Sequence, residues 1–158
     1  MNNDLMFSSE VMSWSTPQWL FDQINQEFNF TLDACADKSN HKCNKYYTES
    51  DNGLVQSWNG ERVWINPPYG REQKAWIQKA YEESDKAISV LLIPARPDTR
   101  VFHEIIAPHA AEIRFLKGRI KFSGHKNAAP FPSCLVIFDK THVYEKRTIF
   151  VEYKNCKI

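Results

Sequence analysis

Residues 63–70 read Val-Trp-Ile-Asn-Pro-Pro-Tyr-Gly, three apolar residues that run straight into two prolines. Each proline fixes its own φ, lacks an N–H and pushes the preceding residue out of the helical region. A strand therefore has to end at Asn66, and the chain has to turn stiffly there. Two readings of this corner are open. In one, it only terminates a strand and buries Tyr69. In the other, the rigid backbone aims the Asn66 amide oxygen and the Pro67 carbonyl at a substrate amino group, while Tyr69 offers a flat face for a planar group. Two fixed acceptors match the two N–H bonds of an amine whose lone pair is delocalised into a ring or a carbonyl. Stacking of a base on an aromatic ring contributes roughly 1–3 kcal/mol. Asn66 is neutral and cannot serve as a conventional base. Its chemistry would be alignment and charge stabilisation.

The rest of the chain alternates between two periodicities. "STPQWLFDQINQEF" (15–28) predicts a helix with a Ser/Thr cap, Pro17 near its first position, and Trp19, Leu20, Ile24 and Phe28 at helical spacing. "FNFTLDAC" predicts a short buried strand ending at Asp33, and "RVWIN" a second strand. "EQKAWIQKAYEES" is amphipathic, and "KAISVLLIPA" is a continuous apolar strand of the kind covered on both faces. "TRVFHEIIAPH" is helical until Pro108, "AEIRFLKG" and "RIKFSG" are extended, and "SCLVIFDK" and "TIFVEYK" form a C-terminal antiparallel pair. This order predicts an α/β fold, a mostly parallel sheet with helices on both faces. Ligands of such sheets sit beyond the carboxyl ends of the strands, where Asp33, Asn66 and Arg96 are expected to converge.

At 158 residues the chain is expected to form a single domain, 1–158, without a separate target-recognition domain. No apolar run approaches a membrane span, and the first ten residues lack the basic-then-apolar pattern of a secretory signal. A cytoplasmic protein is expected. Cys35, Cys43, Cys134 and Cys156 form no CxxC pair. Cys35, His41 and Cys43 lack a fourth ligand at suitable spacing, so no metal is expected. Charge is uneven: residues 1–70 hold nine acids and four bases, whereas residues 94–126 hold seven bases and three acids. That pattern fits a polyanion met on one side, and equally a solvated face.

With the flanking blocks in view, the sequence resembles the phage-type DNA N6-adenine methyltransferases, S-adenosylmethionine-dependent enzymes of phages and prophages. The blocks are "WSTPQWLF" (14–21), "FTLDACAD" (30–37), "YYTESDNGL" (46–54), "VWINPPYG" (63–70), "LLIPARPDT" (91–99), "FLKGRIKF" (115–122) and "APFPSCLVIF" (129–138). The resemblance implies a Rossmann-like methyltransferase fold in a bacterial host cell, with double-stranded DNA as partner. It implies methyl transfer from S-adenosylmethionine to N6 of adenine, at specific sites, with the base flipped into the pocket of Asn66, Pro67, Pro68 and Tyr69. Thr16 and Pro17 would line the methionine end of the cofactor. Asp33, Ala34 and Cys35 fall in its first binding loop, and Asp51 would contact its adenosine or ribose. For Thr16 a helix cap, and for Asp33 and Asp51 a loop cap, are the alternative readings. Arg96, Lys117, Arg119 and Lys121, together with Arg100 and Lys126, would contact phosphates or else be exposed charges. Phe131 would either flank the flipped base opposite Tyr69 or pack into the core.

Asn-Pro-Pro-Tyr also serves RNA-adenine and protein-glutamine methyltransferases, and a non-catalytic nucleic-acid-binding relative is a further alternative. Two departures from the family pattern stand out. "DACADKSN" contains no glycine, although cofactor loops usually need one for close approach of the backbone, which puts loop geometry in question. Only 33 positions separate Asp33 from Asn66, too few for two full strand–helix units, so the sheet is expected to be trimmed at that edge.

Overall fold

The computed structural model describes residues 14–141 and 145–156. The N-terminal residues read for a secretory signal lie outside this range. The first helix, α1 (Gln18–Phe28), buries Leu20, Phe21 and Ile24. Pro17 occupies its N-cap with extended backbone and no side-chain cap bond, so the Ser/Thr cap expected there is not made. The helix ends where Asn29 enters the left-handed region at φ 51° and the Asn25 side chain accepts the Phe30 N–H at 2.7 Å. The strands are β1 (Leu32–Asp33), β2 (Lys45–Tyr46), β3 (Arg62–Ile65), β4 (Ile88–Pro94), β5 (Glu112–Leu116), β6 (Ser133–Phe138) and β7 (Arg147–Val151). Between them lie α2 (Gln73–Glu82) and a π-helical turn, Phe102–Ile106, that runs into α3 (Ala107–His109).

One sheet joins the seven strands in the order β2-β1-β3-β4-β6-β5-β7. β1, β2, β3 and β4 are mutually parallel, as are β5 and β7; β6 alone runs against both of its neighbours. Antiparallel pairing is thus centred on β6, whose partners are β4 and β5. β7 does not pair with β6 but adds to β5 in parallel. The trimmed edge is also present: from β1 to β3 the chain makes the two-residue β2 and a 3₁₀ turn at Gly53–Val55, with no α-helix between.

Alternate residues along β3 and β4 point to opposite faces, as a strand requires. Val63, Ile65, Leu91 and Ile93 share one core with Trp76 and Ile77 of α2 and with Phe102 and Ile106. Trp64, Val90 and Leu92 share the other with Leu20, Phe21 and Ile24 of α1. The segment between β5 and β6 is not a strand. It folds over the α1 face, burying Ile120, Phe122, Ala129 and Phe131, and the Ala129 N–H bonds the Ile120 carbonyl at 2.8 Å. On the same face, buried Arg114 reaches Glu112 (2.8 Å), Glu27 of α1 (3.1 Å) and the Tyr153 hydroxyl (3.2 Å). This network pins the helix and the C-terminal tail to β5. No helix among the described residues is long and apolar enough to cross a membrane.

Candidate active site

A cleft of about 880 Å³ opens at the carboxyl ends of β1 and β3. The register explains which residues reach it. Asp33 lies beside Trp64, so the chain leaves β1 and β3 at nearly the same level, and both Asp33 and Asn66 line the cleft. β4 pairs Leu91 with Ile65 and then continues three residues further to Pro94. That extension carries Arg96 out of the cleft onto the exposed surface, and the convergence expected of it with Asp33 and Asn66 does not occur.

Of the corner residues, Asn66, Pro67 and Pro68 line the cleft, and Pro67 is buried. The Asn66 Nδ2 donates to the Trp14 carbonyl, and Oδ1 accepts the Tyr69 hydroxyl at 3.3 Å. Tyr69 is half-buried; burial holds its phenol above the ordinary range, so it stays protonated at neutral pH. Its ring meets Phe131 edge-on at 5.5 Å and Phe122 at 6.4 Å. Phe131 is packed into the core, 7% exposed, and in contact with Tyr69 rather than across a gap from it.

The loop after β1 supplies the opposite wall. Burial pushes the Asp33 carboxyl up to about 6, against the N–H groups of Lys42 (2.9 Å) and Cys35 (3.4 Å), which favour its charged form. Burial first, and then the neighbouring carboxylates of Asp33, Glu72 and Glu49, push the Cys35 thiol up to about 12, so it is inert as a nucleophile. Thr16 also lines the cleft. Its hydroxyl is buried and has no hydrogen-bond partner among the described residues, a costly state for a polar group unless a ligand completes it. Pro17 and Ala34 are buried behind the cleft wall and do not line it. Asp51 points elsewhere: its carboxylate accepts the Thr48 N–H at 2.9 Å and the Thr48 hydroxyl at 3.1 Å, which holds it below the usual carboxylate range. The loop-cap reading is the contact made there.

Several residues of the cleft carry no role in the sequence analysis, and four of them shape it. Gly53 replaces the glycine absent from "DACADKSN": a Cβ at residue 53 would stand 2.2 Å from the Ala34 carbonyl oxygen. The loop after β1 and the turn after β2 can touch only because residue 53 has no side chain. Asn52, at φ 54°, caps that turn by accepting the Leu54 N–H at 3.2 Å. Trp76 of α2 forms an apolar wall and stacks on Trp58 at 6.4 Å. Trp14 holds Asn66. An Asn-Gly pair in the acidic block was the available signal for the turn; the backbone bond from Trp14 has none.

The basic residues of the later segment lie apart from this cleft, whose own cations are Lys38 and Lys42. Lys117, Arg119 and Lys121 are exposed and line a second groove of about 300 Å³ with Trp19, Ile120 and Tyr153. The Lys117 ammonium stands 3.7 Å from Glu152. Arg100 pairs with Glu104 at 3.3 Å, and Lys126 is exposed. No group of three or more His, Cys, Asp or Glu residues among the described ones is placed to hold a metal ion.

The family model described as DNA N-6-adenine-methyltransferase (Dam) matches residues 7–157. The chain belongs to this family. It is 30% identical over 142 residues to the DNA N-6-adenine-methyltransferase of Haemophilus phage HP1 (strain HP1c1), covering 83% of this chain and 80% of that protein. To the protein of the same name from Escherichia phage T1 it is 33% identical over 107 residues, 66% of this chain and 44% of that one. Among solved structures, it resembles a protein described as a type I restriction-enzyme modification subunit from Vibrio vulnificus YJ016. That match has a TM-score of 0.53 at 8% identity, covering 96% of this chain and 50% of that chain, a likeness of fold.

The residues of this Dam-family cleft fit S-adenosylmethionine. Four acids of the lining, Asp33, Asp37, Glu49 and Glu72, outnumber Lys38 and Lys42 and suit a cationic ligand, a planar adenine suits Trp76 and Leu54, and the orphaned Thr16 hydroxyl needs a partner.

Proposed function

We propose that this Dam-family chain transfers the methyl group of S-adenosylmethionine to N6 of adenine in double-stranded DNA. The observation that carries the reading is Asn66 in the wall of a cleft large enough for the cofactor, on a stiff diproline corner. When bound, the cofactor supplies an electrophilic methyl group on a sulfonium. Everything else is the work of the chain. Asp33, Glu49 and Glu72 favour the cation, and Thr16 and Trp76 bound the space it fills. Asn66 Oδ1 and the Pro67 carbonyl would accept the two N–H bonds of the adenine amine. Those bonds draw charge onto nitrogen, favour a pyramidal geometry and leave its lone pair free for an in-line approach. Asn66 takes no proton; the methylated nitrogen is acidic enough to give its proton to water.

A base inside a duplex cannot reach this corner, so the adenine would have to be extruded. Tyr69 would stack on it, and Phe131, edge-on to Tyr69 at 5.5 Å, would brace that ring from the core side. Lys117, Arg119 and Lys121 would then sit on the phosphates flanking the extruded nucleotide.

Nucleoside mass spectrometry of unmethylated plasmid after incubation with protein and S-adenosylmethionine tests the reading. N6-methyladenine should accumulate, and mapping it would give the site preference. Methyl transfer to RNA or to protein glutamine instead, or none at all, would refute it.

A further inference from the structure

Among the described residues the Asn66 side chain makes two hydrogen bonds, and they are unequal. Nδ2 donates to the Trp14 main-chain carbonyl at 2.5 Å, whereas Oδ1 accepts from the Tyr69 hydroxyl at 3.3 Å. A carbonyl oxygen can only accept, so the first contact decides which end of the amide faces which way. Nδ2 is committed to Trp14. Oδ1 is left as the atom offered to an amine, with a long bond from Tyr69 that a better donor can displace. A reversed amide would present N–H groups to the N–H groups of adenine and repel them.

The Trp14 carbonyl is itself held in place. The Trp14 ring stacks on His125 at 4.3 Å and 12°, and meets Phe122 and Phe131 edge-on at 5.4 and 5.2 Å. The next residue, Ser15, accepts the Ser123 N–H at 2.9 Å. Phe122 and Phe131 are also the edge neighbours of Tyr69. One aromatic cluster, supplied by the segment between β5 and β6, therefore packs against both hydrogen-bond partners of Asn66 among the described residues.

We propose that Trp14 is a positioning residue: its carbonyl sets the polarity of the Asn66 amide, and its ring sets the place of that carbonyl. The catalytic part of this proposal rests on the function given above; the hydrogen bond does not. Two measurements separate them. In NMR spectra the Asn66 side-chain amide is identified by its loss in Asn66→Ala. In the wild-type protein its protons should exchange with water about tenfold or more slowly than those of the exposed Asn59 and Asn127. Trp14→Phe, which keeps an edge-packing ring, should retain that protection, and Trp14→Ala should lose it.

In steady-state assays Trp14→Ala should lower kcat about tenfold or more while both KM values stay within about twofold, and Trp14→Phe should recover most of kcat. Fast Asn66 exchange in the wild type, an unchanged kcat in Trp14→Ala, or a loss expressed in KM alone would each overturn the proposal. If Trp14→Ala does not fold, the wild-type and Trp14→Phe exchange rates decide it by the same criterion. A wild-type protein that methylates no DNA removes the catalytic role along with the function, and the exchange data then still show whether the amide is held.

Discussion

Gly53 lies so close to Ala34 that a single methyl group on residue 53 would stand 2.2 Å from the Ala34 carbonyl oxygen and 3.0 Å from the Trp76 ring. The clash is with backbone, which cannot swing aside as a side-chain tip can. Gly53→Ala should therefore push the turn at Gly53–Val55 away from the loop after β1. Overpacking of this kind costs about 1–3 kcal/mol. Urea denaturation should show the loss of stability, and calorimetric titration should show weaker binding of S-adenosylmethionine, since both segments wall the cleft. Unaltered stability and binding would mean that the contact is not as tight as described.

Asn66→Ala removes the amide to which the proposed function gives the substrate contact, at a half-buried position. Loss of one hydrogen bond made in the transition state typically costs about 10²–10³ in kcat. Circular dichroism and the melting temperature should stay near those of the wild type, and cofactor affinity should be retained. Wild-type turnover by this variant would end the role assigned to the residue.

The Asp33 carboxyl, raised to about 6 chiefly by burial, makes stability depend on pH. An unfolded aspartate titrates near 3.9, so between about pH 4 and 6 the folded chain holds a proton that the unfolded chain has lost. Stability therefore declines as pH rises through that window and levels off above it. The melting temperature of the wild type, taken relative to Asp33→Asn, should fall from pH 4 to 6. A difference that stays constant with pH would show that Asp33 titrates normally. Binding of a cation favours the charged carboxylate, so cofactor affinity should run the opposite way, weakening as pH drops below about 6.

Lys117 and Arg119 are exposed on the rim of the second groove. If each neutralises one phosphate, replacing both by glutamine should reduce the slope of log K against log salt by about 2. The Lys117 ammonium is already shared with Glu152 at 3.7 Å, so its share of that change could only be the smaller one. A slope equal to the wild type would remove this face from the DNA interface.

What the sequence made legible follows from how local each signal is. Two prolines end β3 at Ile65, one residue before the Asn66 expected, because their covalent geometry acts within the chain itself. Leu20 and Ile24 of α1 and the unbroken apolar run of β4 are equally local, one read from helical spacing and the other from burial on both faces. The neighbours of β6 and β7 are not local: any two adjacent C-terminal strands could form a hairpin, and only the whole sheet shows β6 filling the place between β4 and β5. Arg96 was misplaced for a related reason, since the three-residue overhang of β4 past Ile65 is a matter of register between strands. Thr16 suits a helix cap by type and place, yet Pro17 takes that position and leaves the Thr16 hydroxyl buried without a partner among the described residues. The Gly53–Ala34 approach joins residues 19 apart, and the Trp14–Asn66 bond joins residues 52 apart through a main-chain atom, which side-chain patterns do not record.

The trimmed edge has its own consequence. Where a fuller sheet would place a helix, the cleft wall here is wound from turns held by a few short bonds, such as Asn52 to Leu54 and Asp51 to Thr48. Turns of this sort borrow their order from whatever they enclose. Occupancy of the cleft should then slow amide exchange most strongly across residues 34–56, so that ligand capture and the final setting of that rim become a single event.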